Sequence, residues 1–289
     1  LNEAITFHKL YQKRMWRALI ALSLFLAQGT AAPDCSSHDI ETNNVGQCTC
    51  GGGGDVCNTQ CDAGQSSSGC PGTVIQSQLF LDDCKGHCTS DANHRCQSCW
   101  IWFNGLCSCY QNGGCAQSSQ TPPFWIQLNG KLLTTSEPIP SILELQQHPS
   151  LSGYGWDFGQ KVTNPDSQAL VINSAHSITE NQIHMHTCPI NNNMLKALTA
   201  LSNPGPAAFG SLTSVSLPGP AGVDRVWCRV SQQKNTVVDG KTVSDDISRI
   251  MGSQCKYYVG AAVVRDSNGY TWDCITADSK STEYGRFCA

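Results

Sequence analysis

Residues 171–187, VINSAHSITENQIHMHT, hold the side chains best suited to chemistry. Gln182, His184 and His186 stand at alternate positions within this stretch. A β-strand sends alternate side chains to one face, so two imidazoles and an amide would share a surface. Ile183, Met185 and Thr187 would point the other way, into a core. Three outcomes fit this spacing. A His-x-His pair can chelate zinc or another transition metal. Paired imidazoles can serve phosphoryl chemistry, one attacking phosphorus while the other sets its tautomer or moves a proton. The third outcome is two histidines on a half-exposed strand with no chemical role.

The elements that must position this strand can be read around it. Residues 169–173, ALVIN, form an apolar run of strand type that enters a polar loop at 173–181. Short strands are expected at 124–128 and 131–134 around Asn129-Gly130, a turn dipeptide. A short amphipathic helix is expected at 141–147, and a helix at 193–201 with an asparagine available as its cap. Residues 257–264 and 270–275 read as a closing hairpin around Ser267-Asn268-Gly269. His176 is expected at the surface of the loop, and Asp166 at a turn. This mixture describes an α+β domain beginning near the Ser/Gln/Pro connector at 118–123.

Upstream the composition changes. Thirteen of the 18 cysteines fall between Cys35 and Cys115, in a region rich in Gly, Ser, Asn and Gln. Such a segment buries too little apolar surface to fold unaided and is expected to be held by disulfides. Cys57-x3-Cys61 and Cys96-x-x-Cys99 have zinc-like spacing, but an oxidising compartment favours structural disulfides. The Trp100-Ile101-Trp102-Phe103 cluster is either a ligand patch or the region's own core. Five cysteines follow: Cys188, Cys228, Cys255, Cys274 and Cys288. Both counts are odd, so full pairing requires at least one disulfide between the two regions.

Met15-Trp16-Arg17 followed by the ten-residue apolar run at 18–27 and the small residues at 29–32 form a secretory signal pattern. Cleavage after Ala31 or Ala32 is expected, and residues 1–14 precede the pattern. The run is too short to span a bilayer, and no second long apolar segment follows it. The chain carries 14% charged residues and a formal charge of −4, which argues against a basic nucleic-acid binder or a charged disordered chain.

The histidine stretch resembles the histidine-triad signature, His-φ-His-φ-His-φ-φ with φ apolar. More narrowly it is similar to the CDP-diacylglycerol diphosphatase branch of that superfamily. The residues carrying the likeness are Pro165-Asp166, Ile172-Asn173-Ser174, and Thr179-x-Asn181-x-Ile183-His184-Met185-His186. Residues 216–220 (SLPGP), 224–230 (DRVWCRV), Met251-Gly252-Ser253 with 257–264, and the near-terminal Cys288 continue it. The likeness covers roughly residues 120–289 and leaves the cysteine-rich region without a counterpart.

The resemblance implies an antiparallel sheet with helices. It implies that His184 attacks the α-phosphorus of a nucleoside diphosphate ester, giving a nucleotidyl-histidine that water hydrolyses. His186 would orient His184 or bind phosphate. Asn173, Thr179 and Asn181 would donate hydrogen bonds around the developing charge. Gln182 departs from the pattern by standing at the first histidine position. An amide can hydrogen-bond substrate but cannot titrate near neutrality. No metal or other cofactor is implied. Lys161, Lys196, Arg225 and Arg229 are the nearest cations in sequence for a pyrophosphate. The likeness also implies that Cys188 pairs with Cys288.

The expected organisation is a leader at 1–32, a disulfide-rich, loop-rich region at 33–117, and a HIT-like α+β domain at 118–289. The expected activity is secreted, extracellular hydrolysis of a nucleotide-linked pyrophosphate resembling CDP-diacylglycerol. Its partner would be a small-molecule or lipid-nucleotide substrate, with no nucleic acid and no integral membrane segment. Two alternatives are a binding or effector protein on an inactive HIT scaffold, and a repurposed secreted enzyme, for example an oxidative, luciferase-like one.

Overall fold

The computed structural model describes residues 37–48, 50, 64–66, 70, 73–75, 100–178, 180, 182–203, 205–220 and 222–289. The signal pattern and the sites Thr179 and Asn181 lie outside the described residues.

The first elements are helix α1 (Ser37–Glu41) and a small antiparallel pair, β1 (Gly64–Ser66) with β2 (Thr73–Ile75). A π-helical turn, Trp100–Leu106, runs directly into α2 (Cys107–Asn112). An eight-stranded antiparallel sheet follows, in the order β3-β4-β6-β5-β9-β10-β8-β7. Its strands are β3 (Trp125–Leu128), β4 (Leu132–Thr135), β5 (Gln168–Ile172) and β6 (His184–Pro189). They continue as β7 (Thr213–Gly219), β8 (Gly222–Val230), β9 (Val259–Arg265) and β10 (Thr271–Ala277). The expected α+β class therefore holds, as a mixed helix and antiparallel-sheet fold.

Local chemistry accounts for several elements. Asn129 and Gly130 adopt φ of 49° and 66°, the left-handed pair that a tight β3–β4 turn needs. Helix α5 (Asn192–Leu201) starts where the Asn191 side chain accepts from the Asn193 and Met194 amides. Helix α3 (Ile142–Leu145) starts at Ser141, whose hydroxyl accepts from the Leu143 amide.

Two longer helices were not anticipated. Helix α4 (Pro149–Val162) carries glycines at 153, 155 and 159, which lower intrinsic helix propensity. One reason for them is contact: a Cβ on Gly159 would collide with the Leu170 side chain of β5. Helix α6 (Gly240–Met251) is capped by Asp239, which accepts from the Thr242 amide. It buries Val243, Ile247 and Ile250 at helical spacing.

Side-chain alternation divides the packing between the two sheet faces. On one face α4 and α6 cover Trp125, Leu133, Leu170, Ile172, Met185 and Val263. On the other, α5 and the C-terminal tail cover Ala169, Val171, Ala262 and Cys274, through Met194, Leu198 and Phe287. A third cluster lies over β3, where Ile40, Ile101, Trp102 and Leu106 pack on Ile126 and Leu128. The aromatic cluster is therefore core at Trp102 and Ile101, both fully buried. The described part of the cysteine-rich region uses the sheet itself as its floor.

Five disulfides lie among the described residues. Cys50–Cys107 and Cys109–Cys115 are internal to the cysteine-rich region, while Cys188–Cys288 and Cys228–Cys274 are internal to the sheet domain. Cys70–Cys255 joins the two regions, the kind of link that the odd counts require.

Candidate functional site

Strand β6 begins at His184, and its pairing sets what faces the histidines. His184 lies opposite Thr134, and His186 lies between Leu132 and Val171. Met185 points into the core beneath α4 and α6. His184 and His186 thus occupy the opposite face, in the seam between the cysteine-rich layer and the layer of α5 and the tail. Their rings meet edge to face with centroids 4.9 Å apart. His184 is buried and His186 is half-buried.

The His184 Nδ1 lies 2.7 Å from the backbone oxygen of Gln182. A carbonyl can only accept, so Nδ1 carries the proton and Nε2 keeps its lone pair. Burial pushes the His184 pKa below the ordinary histidine range, and the carbonyl bond acts against that. The ring is therefore neutral at neutral pH, which a nucleophile requires.

Gln182 reaches the same face, but its amide is occupied. Its Oε1 accepts from the Trp102 indole at 2.9 Å. Its Nε2 donates to the carbonyls of Glu137 at 3.0 Å and Thr135 at 3.2 Å. The expected contact from this amide to substrate is replaced by internal bonds that dock Trp102. A substrate could reach the amide only by breaking them.

Asn173 is also used internally. Its Oδ1 accepts from the Ser281 hydroxyl and from the Thr282 and Glu283 amides, at 3.0, 3.0 and 3.2 Å. Its Nδ2 donates to Glu283 Oε2 at 3.0 Å. The other carboxylate oxygen, Oε1, lies 3.2 Å from His186 Nδ1. Glu283 is buried and belongs to a terminal strap held at its far end by Cys188–Cys288. Hydrogen bonds from Asn191 N to Phe287 O and from Ala289 N to Pro189 O secure it further. The strap can lie close on the sheet because Gly260 has no Cβ, which would collide with the Thr282 hydroxyl.

Burial, then the neighbouring His184 ring, push the His186 pKa down to about 3. Burial pushes Glu283 up, with the Asn173 bond opposing. A carboxylate at this distance favours an imidazolium, so it works against the downward push on His186. His184 thus has Nδ1 engaged by a carbonyl, and His186 Nδ1 faces the Glu283 carboxylate.

The four cations considered for phosphate lie elsewhere. Arg229 makes a bidentate pair with Asp246 of α6, beneath the opposite face. Arg225 alternates with the buried Val226 and so shares that face with Arg229. Lys161 is exposed on α4, and Lys196 is exposed on α5. His176 is not simply exposed: its ring packs edge-on against Tyr258, with centroids 4.9 Å apart. Asp166 pairs with Arg265 at 3.5 Å.

Sequence reasoning missed Glu283 and the docking role of Trp102. One signal pointed to the first. Pairing Cys188 with Cys288 brings the chain end beside β6, and Glu283 is the acid nearest Cys288. A scan of protein-family models and a search of curated proteins returned no match to this chain.

Proposed function

We propose that the protein hydrolyses a nucleotide-linked pyrophosphate of the CDP-diacylglycerol kind, through a nucleotidyl intermediate on His184. The observation that carries this is the bond from His184 Nδ1 to the Gln182 carbonyl, which leaves a neutral ring with Nε2 as nucleophile. The resemblance of 165–186 to the histidine-triad signature supports the same role, and with it a HIT-like sheet domain at 118–289. A secretory leader at 1–32 and a disulfide-rich region at 33–117 complete the proposed organisation, in an extracellular setting.

In the first step His184 Nε2 attacks the α-phosphorus and the bond to the bridging oxygen breaks. The leaving group is a phosphate ester, which departs as a stable anion and needs little protonation. That tolerates an amide at the first motif position, where no side chain can deliver a proton. Water then cleaves the phosphorus–nitrogen bond and releases a nucleoside monophosphate.

A second possibility has its own support. The Gln182 amide is consumed in docking Trp102, as it would be on a scaffold reused for binding. One experiment separates the two. Incubation with α-labelled CDP-diacylglycerol or a dinucleoside polyphosphate should place acid-labile label on His184 and release nucleotide. His184→Ala should lose both, with turnover down at least about a thousandfold. Absence of label and of nucleotide release in the wild type would leave the binding scaffold standing.

A further inference from the structure

We propose that Glu283 is the positioning residue that makes His186 the base for the hydrolytic step. This rests on His184 being the nucleophile. Water attacking a nucleotidyl-His184 must lose a proton, and among Gln182, His184 and His186 only the last can take it. His184 Nε2 would be bonded to phosphorus, and the Gln182 amide does not titrate. His186 remains. Its Nδ1 lies 3.2 Å from Glu283 Oε1. In the proposed arrangement the ring proton sits on Nδ1, toward that carboxylate, which leaves Nε2 to accept another.

The carboxylate is fixed at both ends. Oε2 takes the Asn173 amide, while three donors from residues 281–283 converge on the Asn173 oxygen. Cys288, five residues on from Glu283, is bonded to Cys188, two residues on from His186. A buried carboxylate is costly unless something compensates it. This one is set against an imidazole that becomes cationic during the step.

The step balances. A water proton passes to His186 Nε2, and the water oxygen bonds to phosphorus. The phosphorus–nitrogen bond breaks, and its electron pair returns to His184 Nε2. The new His186 imidazolium is stabilised by a charge-assisted bond to Glu283 and later loses its proton to solvent. Carboxylates behind a working histidine set its tautomer and orientation in the same manner.

The test compares the intact wild-type protein with Glu283→Gln, which keeps size and hydrogen bonding but removes the charge. Long-range nitrogen–proton NMR of the imidazoles should show His186 protonated at Nδ1 in the wild type. In the variant it should become a tautomer mixture, with His184 unchanged. In the labelling assay, label should still reach His184, while its release slows by about 10- to 100-fold and label accumulates. A wild-type His186 protonated at Nε2 overturns the proposal, whether or not the variant folds. So does a folded variant with an unaltered His186 tautomer and unaltered release. The NMR result stands even if no substrate labels His184, which would instead count against the hydrolase reading.

Discussion

Two histidines separated by one residue have different surroundings here, and those surroundings set their titration. His184 is closed in by its own strand entry, while His186 meets Glu283. Both rings have pKa values lowered by burial. An unfolded imidazole takes up a proton near pH 6.5, whereas burial holds His186 in the fold below that value, with Glu283 acting against the shift. The unfolded state therefore binds more protons in that window. Stability from these rings is complete above the unfolded value and is lost as pH falls below about 6.5 through the lowered folded values. Glu283 works in the opposite sense: its pKa is raised, so its contribution is present at low pH and lost as pH rises through the raised value. The urea midpoint should fall between pH 7 and pH 4, as the rings lose stability faster than Glu283 regains it. His186→Gln should flatten part of that slope; an unchanged slope would show that His186 does not contribute to it.

At the scale of elements, hairpins and buried strands follow local rules and were legible. The turn at Asn129-Gly130, the run of β5, the alternation of β6 and the cap of α5 all depend on neighbours in sequence. Helix α4 does not. Its glycines lower helix propensity, and only close contacts with the sheet and with α6 make them an advantage. Gly159→Ala would improve an isolated helix, yet in the protein the added methyl meets Leu170. We expect a loss of about 1–3 kcal/mol from overpacking, measured by urea or thermal unfolding. A stabilised variant would mean that β5 yields to the helix. Helix α6 did carry a usable signal, Asp239 followed by Val243, Ile247 and Ile250. That pattern of a capping acid and apolar residues at helical spacing is local in sequence.

Across the whole molecule, the cysteine-rich region is tied to the sheet by a covalent link and a polar one. Cys70–Cys255 crosses between them, and Trp102 both fills the third cluster and donates to Gln182. The same glutamine supplies the carbonyl that sets the His184 tautomer. Docking of the disulfide layer and preparation of the nucleophile thus meet in one residue. Trp102→Phe keeps most of the ring and removes the N–H, leaving Gln182 Oε1 without that donor in a buried place. The expected cost is about 1–3 kcal/mol. The His184 imidazole resonances should shift with it, although Trp102 does not contact His184 through any hydrogen bond. Unchanged resonances and stability would mean that the indole bond does not organise the site.

What the sequence determined by itself was local or arithmetical. Strand alternation assigns His184 and His186 to one face because the period of a strand is a property of its backbone. Composition assigns the cysteine-rich region to disulfides, and odd counts call for a link between regions. Which groups would stand against the histidines was decided by tertiary structure alone. Glu283 reaches His186 because a terminal strap folds back over β5 and is pinned to Cys188 of β6. Trp102 reaches Gln182 because the sheet edge is the floor of a layer that has little core of its own. Periodicity says which way a side chain points. It carries no information about the distant segment that closes over it, since that depends on which packing buries the most surface with its polar groups paired.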